Sequence, residues 1–349
     1  MPGTTTADFL NAALMAAVMV PPALLVQHHR ANCDFGGSAG AGAGATNPAE
    51  LLATASSVFS DWASGTRHVS CHVYLHHPFL FVNLLYFVVV DLGFWAIYLA
   101  QGSTWLIDPH WQFIPMCIAF FYYSHPGADT AAHTTAPNSR AWIAMVLVLV
   151  WAGRLLHNYF RRERWHFGRV EDWRYADMRK SHGKWWWLTQ FFAVSLAQHG
   201  MLVGLTMPLQ PAMMMSPAAT LPLNVWDALA VALCLAGIII GAFSDNQLWD
   251  YMQLGKRDKP IVLDTGMWRY SRHPNHFGEQ TWWCGVLCLG IAAGAPLWPI
   301  CFGVCFNHPL DTFVTLGLIE ERMLRRPERR AQFKAYQRRT SLLVPMPPS

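Results

Sequence analysis

Charge is what this chain has little of. Of its 349 residues, 13% are charged and 53% are hydrophobic. Soluble domains carry about 25% charged residues. That deficit, together with 17 Trp and 20 Phe, excludes an ordinary soluble globule and points to a polytopic membrane protein. The net charge is only +4. The basic residues border apolar runs and form no exposed stripe, which argues against nucleic acid as a partner. No HExxH and no Cys/His zinc spacing occurs, so the 16 His predict no metal site. His28-His29 and His76-His77 flank apolar segments, as interfacial histidines do. There is no internal repeat, no Lys-Asp-Glu-Leu-type signal, no prenylation box and no myristoylation site. The first apolar segment has no basic residue before it and is interrupted by Pro21-Pro22, so it reads as an anchor helix and not a signal peptide.

Six of the eight Cys lie in apolar runs, with helical spacing at Cys284–Cys288 and Cys301–Cys305, and read as small core residues. Cys33 and Cys71 sit in a polar loop, where a disulfide between them is open.

A membrane-crossing helix needs about 20 mostly apolar residues. The candidates are Phe9–Val26, Phe79–Ala100, Trp105–Tyr123, Ala141–Leu156, Trp185–Met207, Val225–Phe243, Trp282–Ala295 and Leu297–Ile319. The last two meet at a tight Ala-Pro turn. The expected fold is therefore all-α, a polytopic bundle of seven or eight transmembrane helices. Three segments hold most of the cations: Arg161–Lys184, Asp245–His276 and the tail after Glu321. With eight spans, two crossings separate each from the next, so all three fall on one side. The positive-inside rule makes that side cytoplasmic. The segment Ser124–Ser139 lies on the other side and has no Lys or Arg. The segment Gln27–Tyr74, with its Gly/Ala run over residues 36–44, is expected to be a flexible loop on the non-cytoplasmic side. Residues 1–140 are read as N-terminal helices and 141–349 as the catalytic membrane domain.

The most informative stretch is Gly266-Met-Trp-Arg-Tyr-Ser-Arg-His-Pro-Asn-His-Phe-Gly-Glu279. It packs Arg269, Arg272, His273, Asn275 and Glu279 at the mouth of an apolar run starting at Trp282. Such a cluster is costly in a membrane unless it binds something charged. Upstream, Arg154 lies within the end of a span and is expected to face the bundle. Glu171, Asp172, Arg174 and Tyr175 combine acceptors, a fork donor and a stacking ring, a set suited to a phosphate and a flat heterocycle. The Trp residues of the same stretch read equally well as an interfacial belt. Asp245, read as lying at a helix C-terminus, is expected to have a cationic or hydroxyl partner. The turn around Arg257 reads as solvated or as a phosphate contact. Glu279 is either a helix N-terminal charge or a buried acid. Glu320–Arg339 alternates charge signs at helical spacing, and Tyr336 and Arg338 sit where the tail can close over the pocket.

These residues resemble the steroid 5-alpha-reductase C-terminal-domain superfamily, in the branch long listed as a domain of unknown function. The likeness runs over about Trp142–Pro345, through Arg154, Glu171-Asp-Trp-Arg-Tyr175, Gly266–Glu279 with Trp282-Trp283, and Tyr336 with Thr340-Ser341 and Pro345. It implies a membrane enzyme of the endoplasmic reticulum that uses NADPH to reduce a carbon–carbon double bond in a steroid, sterol or other lipid. By that likeness Asn275 bonds the nicotinamide amide, Glu279 frames the ring and Asp245 meets a cofactor hydroxyl or amine. Arg154, Arg174, Arg257 and Tyr336 hold phosphate, ribose or adenine. Glu279, Tyr270 and Asp91 are the candidates for catalytic roles. Asp172, Tyr175, Arg269, Arg272, His273 and Arg338 complete the candidate cofactor set. The Glu with which steroid reductases polarise an enone has no clear counterpart here, and Asp91, inside an apolar span, is its nearest candidate.

Two other readings compete. Isoprenylcysteine and phospholipid methyltransferases share an Arg-His-Pro turn and a C-terminal Glu-Glu, and use S-adenosylmethionine. Arg272–Gly278 and Glu320-Glu321 match that pattern loosely. The third reading is a non-catalytic lipid-binding relative on the same scaffold.

Overall fold

The computed structural model describes residues 6–33, 69–125, 139–168, 170–214, 222–255 and 257–349. The Gly/Ala run, most of the loop containing it and residues 126–138 lie outside the described residues. Among the described residues all extended regular structure is helical, with one isolated bridge between Ser271 and Ser341. The elements are α1 (Thr6–Asn32), α2 (Val69–His76), α3 (Pro78–Gln101), α4 (Ile107–Ser124) and α5 (Ser139–Arg162). They are followed by α6 (Trp173–Thr206), α7 (Val225–Gln253), α8 (Pro274–Ala292), α9 (297–325) and α10 (Pro327–Arg339).

Five helices, α1, α3, α5, α6 and α7, are both long and apolar enough to cross a bilayer. The seven or eight spans expected from sequence are therefore not all matched by length and composition. The reason is local. Helix α4 carries Asp108, His110 and Gln112, α8 opens with Asn275, His276, Glu279 and Gln280, and α9 holds His308 and Asp311.

Side-chain bonds nonetheless sort the connections into two sets. In one set, His166 Nδ1 meets Asp8 (2.8 Å), Asn11 donates to the Phe167 carbonyl (2.8 Å) and Thr104 donates to Glu171 (2.7 Å). Arg322 of the chain's tail side joins that set by lying over the Trp173 ring (4.1 Å), and Arg272 pairs with Glu320 two residues before it (2.6 Å). In the other set, Cys33 is disulfide-bonded to Cys71, and His125 reaches the Tyr74 carbonyl (2.7 Å). There too, Arg140 pairs with Asp227 (2.7 Å) and Asn224 donates to the Ala292 carbonyl (3.0 Å). Each of α1 and α3–α9 begins in one set and ends in the other, so neighbours in sequence run antiparallel. All three basic segments belong to the first set.

Two features fix the packing around the site. Helices α7 and α8 lie against each other along most of their length. A Cβ built on Gly237 would sit 2.5 Å from the Gly278 carbonyl oxygen, and one on Gly278 2.7 Å from the Gly241 nitrogen. Only hydrogen fits at these positions, which is how helices without a hydrophobic driving force come close in a membrane. Secondly, three helices contain a π-helical turn, at Tyr86–Asp91, Phe191–Leu196 and Leu310–Thr315. Such turns are rare and collect at functional sites.

Two expectations about helix ends are corrected. Helix α7 continues to Gln253, so Asp245 lies two turns inside it. The charged tail is not one helix: Pro327 breaks it after Arg326, since the residue before a proline is forced out of the α region.

Candidate functional site

The buried polar cluster at the basic end is built on α5, α7 and α8. Arg154 of α5 does face the bundle, because Gly241 leaves its guanidinium room: a Cβ there would lie 2.5 Å from Nη1. Nη1 donates to Asp245 Oδ2 at 2.9 Å and Nη2 to Glu279 Oε2 at 3.0 Å. One turn earlier, Trp151 Nε1 donates to the other Glu279 oxygen at 2.9 Å. The Trp151 ring stacks on Trp282 with centroids 4.2 Å apart, and Trp283 packs edge-on against both. Glu279 is thus held by two residues, Arg154 and Trp151, and is not a free helix-end charge. Asn275 lies beside Asp245 on the first turn of α8. Its Oδ1 is buried and has no hydrogen-bond partner. A buried amide oxygen in that state costs about 1–3 kcal/mol unless a donor meets it.

A second group sits beside the first. Asp172 caps α6 and holds Arg174 by both oxygens at 3.0 Å. The Arg174 guanidinium lies 5.9 Å from the Tyr175 ring centre. Tyr175 accepts from Gln198 at 2.8 Å, and Gln198 in turn accepts from Trp111. Arg162 lies within electrostatic reach of Asp245 on one side and of Asp108, next to Asp172 and Arg174, on the other. It joins the two groups.

The third group pins the tail. Arg272 uses Nε and Nη2 on Glu320 (2.6 and 3.3 Å) and Nη1 on the Gln337 and Thr340 carbonyls (3.1 and 2.5 Å). His273 Nε2 lies 3.3 Å from Glu320. Burial alone would raise Glu320, but hydrogen bonds from His273, Arg272 and Gln337 hold its carboxyl down at about 2. Burial lowers His273 against the pull of the same carboxylate. Tyr336 gives its hydroxyl to the Trp268 carbonyl, and burial raises it above the ordinary tyrosine range.

Arg154, Asp245, Asn275 and Glu279 therefore come together, with Asp172, Arg174 and Tyr175 next to them. Arg272, His273 and Tyr336 fasten the tail beneath. Arg257, Arg269, Tyr270 and Arg338 are exposed. Asp91 is in a different place: it lies on α3 and faces His199 of α6 (3.1 Å). Of the three catalytic candidates, only Glu279 belongs to the buried cluster. Sequence reasoning missed Trp151 and the pair His276–Asp311 (3.0 Å), which ties α8 to the π turn of α9. Asp311 was detectable as a carboxylate inside an apolar run. Trp151 carried no such signal.

The fold and these groups define an integral-membrane helix bundle with a buried ion-paired cluster beneath a basic rim. The chain belongs to the family described as protein of unknown function DUF1295, whose profile matches residues 94–340. This is the steroid 5-alpha-reductase-like branch that its motifs resemble. The match begins within α3, well before the motif-bearing region. An uncharacterized protein of Schizosaccharomyces pombe is 27% identical over 253 residues, covering 67% of this chain and 71% of that protein. No solved structure matches.

Proposed function

We propose that this protein reduces a carbon–carbon double bond in a membrane lipid, with NADPH held at the basic end. The observation that carries the reading is the buried, unpartnered Asn275 Oδ1 beside Asp245, Glu279 and Arg154. A carboxamide N–H of a nicotinamide is a donor of the required kind. When bound, the dinucleotide supplies the hydride. The chain's own residues do the rest. Asn275 accepts from the carboxamide and fixes the ring's orientation. Arg154 pairs with both Asp245 and Glu279, which offsets one of their two charges and leaves two oriented acceptors. Trp151 and Trp282 close the inner wall and keep water from the reacting carbon. Arg174 and Tyr175 offer a fork and a ring face, and exposed Arg257, Arg269 and Arg338 remain for phosphates. Arg272 and Tyr336 act by holding the tail, since their polar atoms already have internal partners.

This places residues 141–349 as the catalytic unit and the basic end on the cytoplasmic face, where NADPH is supplied. The Cys33–Cys71 disulfide, at the opposite end, then faces an oxidising compartment, as in the endoplasmic reticulum lumen. The substrate is a lipid, sterol or steroid entering from the bilayer.

One observation favours the methyltransferase reading. Its two motif pieces, the Arg272-His273 turn and Glu320, meet directly. Binding separates the two. Purified protein in nanodiscs is titrated with NADPH and with S-adenosylmethionine. The reductase reading expects NADPH alone to bind, and Asn275→Ala to weaken it by about 1–3 kcal/mol, roughly 5- to 150-fold. Binding of S-adenosylmethionine without NADPH would reject it. Binding of neither would leave the non-catalytic lipid carrier as the better description.

A further inference from the structure

Away from this cluster, helices α3, α4 and α6 hold three ionisable side chains, of which the sequence singled out only Asp91. Asp91 ends the π turn of α3, His110 lies on the first turn of α4, and His199 follows the π turn of α6. One carboxylate oxygen and one nitrogen of each ring all lie within 4.8 Å of one another, and all three residues are buried. The two π turns are packed together. Each shifts the register of its helix, and they bring Asp91 and His199 onto the facing sides.

Both oxygens of Asp91 and both ring nitrogens of His110 and His199 lack hydrogen-bond partners. His199 Nδ1 comes within 3.1 Å of Asp91 Oδ2, an ion-pair distance, but not along an N–H bond. His110 is 1% exposed and Asp91 0%. The walls are aromatic, with Phe94 edge-on to His110 at 5.2 Å and Phe87 to His199 at 6.5 Å. Ionisable side chains are expensive inside a membrane bundle and are kept there for a task. Three that converge without satisfying one another require a common partner. A single cation meets all three at once.

We infer that Asp91, His110 and His199 bind a divalent transition metal, zinc or ferrous iron, in the membrane half of the bundle. Two imidazoles and one carboxylate form the three-ligand set of open zinc sites and of non-haem iron triads. Magnesium and calcium prefer all-oxygen shells and do not fit. Tetrahedral zinc with bonds of about 2.0–2.1 Å holds its donors about 3.4 Å apart, so the triad closes by up to about 1.4 Å on loading. Side-chain rotation on three separate helices supplies a movement of that size. With two neutral rings and one carboxylate, the loaded site carries one net positive charge. Its remaining coordination position suits a carbonyl or hydroxyl oxygen of a lipid.

The test needs no turnover, so its outcome is independent of the reductase reading. Protein purified in nanodiscs is stripped with a chelator, dialysed against zinc or ferrous iron, and its metal measured by mass spectrometry. Cobalt(II) titration of the stripped protein reads the coordination directly. Expected are about one equivalent of zinc or iron per chain and the intense visible bands of four- or five-coordinate cobalt. His110→Ala, His199→Ala and Asp91→Asn should each fall to background, while His308→Ala, outside the triad, keeps its metal. Should the triad variants fail to fold, X-ray absorption of the cobalt-loaded wild type must report two imidazoles and one carboxylate oxygen. Wild type without saturable metal, triad variants that retain it, or a spectrum lacking two imidazoles would each overturn the assignment.

Discussion

Replacing Arg154 by Met removes the cation but keeps much of the side-chain volume. Arg154 is the only partner within hydrogen-bond distance that carries charge for both Asp245 and Glu279 among the described residues (2.9 and 3.0 Å). The three side chains are 12%, 9% and 29% exposed. Breaking a buried pair from one side costs about 3–5 kcal/mol, because the stranded charge is worse than the pair was good. Two carboxylates are stranded here, yet Glu279 keeps Trp151 and is the most exposed of the three. The lower part of the range, about 3 kcal/mol, is therefore expected. Thermal unfolding in nanodiscs, followed by the many Trp, should fall by about 4 °C, because the shift is about 2–4 °C per kcal/mol for domains of 150–250 residues and smaller for a longer chain. The decisive arm is rescue. Arg154→Met combined with Asp245→Asn and Glu279→Gln removes every stranded charge and should recover most of the loss. Arg154→Met at wild-type stability, or no recovery in the triple variant, would refute the ion-pair account of the cluster.

Two further outcomes follow from the tail and the helix seam. Glu320 has its folded value depressed from the ordinary 4.5 to about 2, so its contribution is complete above about 4.5 and is lost as pH falls towards 2. Burial also depresses His273, which adds loss in the same direction below its ordinary 6.5. Wild type and Glu320→Gln should differ in unfolding temperature at neutral pH and converge by about pH 2–3; a constant gap would show the carboxylate is not the titrating partner. On the α7–α8 seam, Gly237→Ala should cost about 1–3 kcal/mol, since backbone atoms of Gly278 and Trp282 occupy the space. Gly153→Ala meets nothing within 4 Å and should be neutral or stabilising by up to about 1 kcal/mol, from helix propensity.

What the sequence disclosed was what has a one-dimensional signature. Low charge and long apolar runs announced a helical membrane bundle, and alternation of basic segments agreed with the two sets of connections found at its ends. Arg154 was readable because a cation within an apolar span must face protein. The span count was less readable: α4, α8 and α9 carry polar residues that dilute their apolar signal, and five helices among the described residues are long and apolar enough to cross. Asp245 was misplaced because nothing polar in Ser244-Asp245-Asn246 distinguishes a helix end from a helix that turns its polar face inward. Arg272 showed a basic residue in a promising motif, but not that four internal acceptor contacts await it. Partners distant in sequence, as Glu320 is from Arg272, leave no local trace.

The two polar stations differ in kind, and the difference bears on what each does. At the basic end, Arg154 answers Asp245 and Glu279, Trp151 shares in that contact, and Asn275 Oδ1 is the one acceptor of the cluster left without a partner, beside two unpaired donors, Arg154 Nε and Trp282 Nε1. A station whose charges are already paired is preorganised: on the reading proposed above it changes little on receiving an uncharged amide, and the cationic rim is left for the phosphates. Where α3, α4 and α6 meet, Asp91, His110 and His199 leave all of their side-chain polar atoms unanswered. That station requires a charged guest and rearranges to hold it. The family match, over residues 94–340, takes in His110, His199 and the cluster of Arg154, Asp245, Asn275 and Glu279, and begins three residues after Asp91. The helices that carry Asp91 and His199, α3 and α6, both depart from regular α geometry beside this second station, and α6 also carries Arg174 and Tyr175 next to the first.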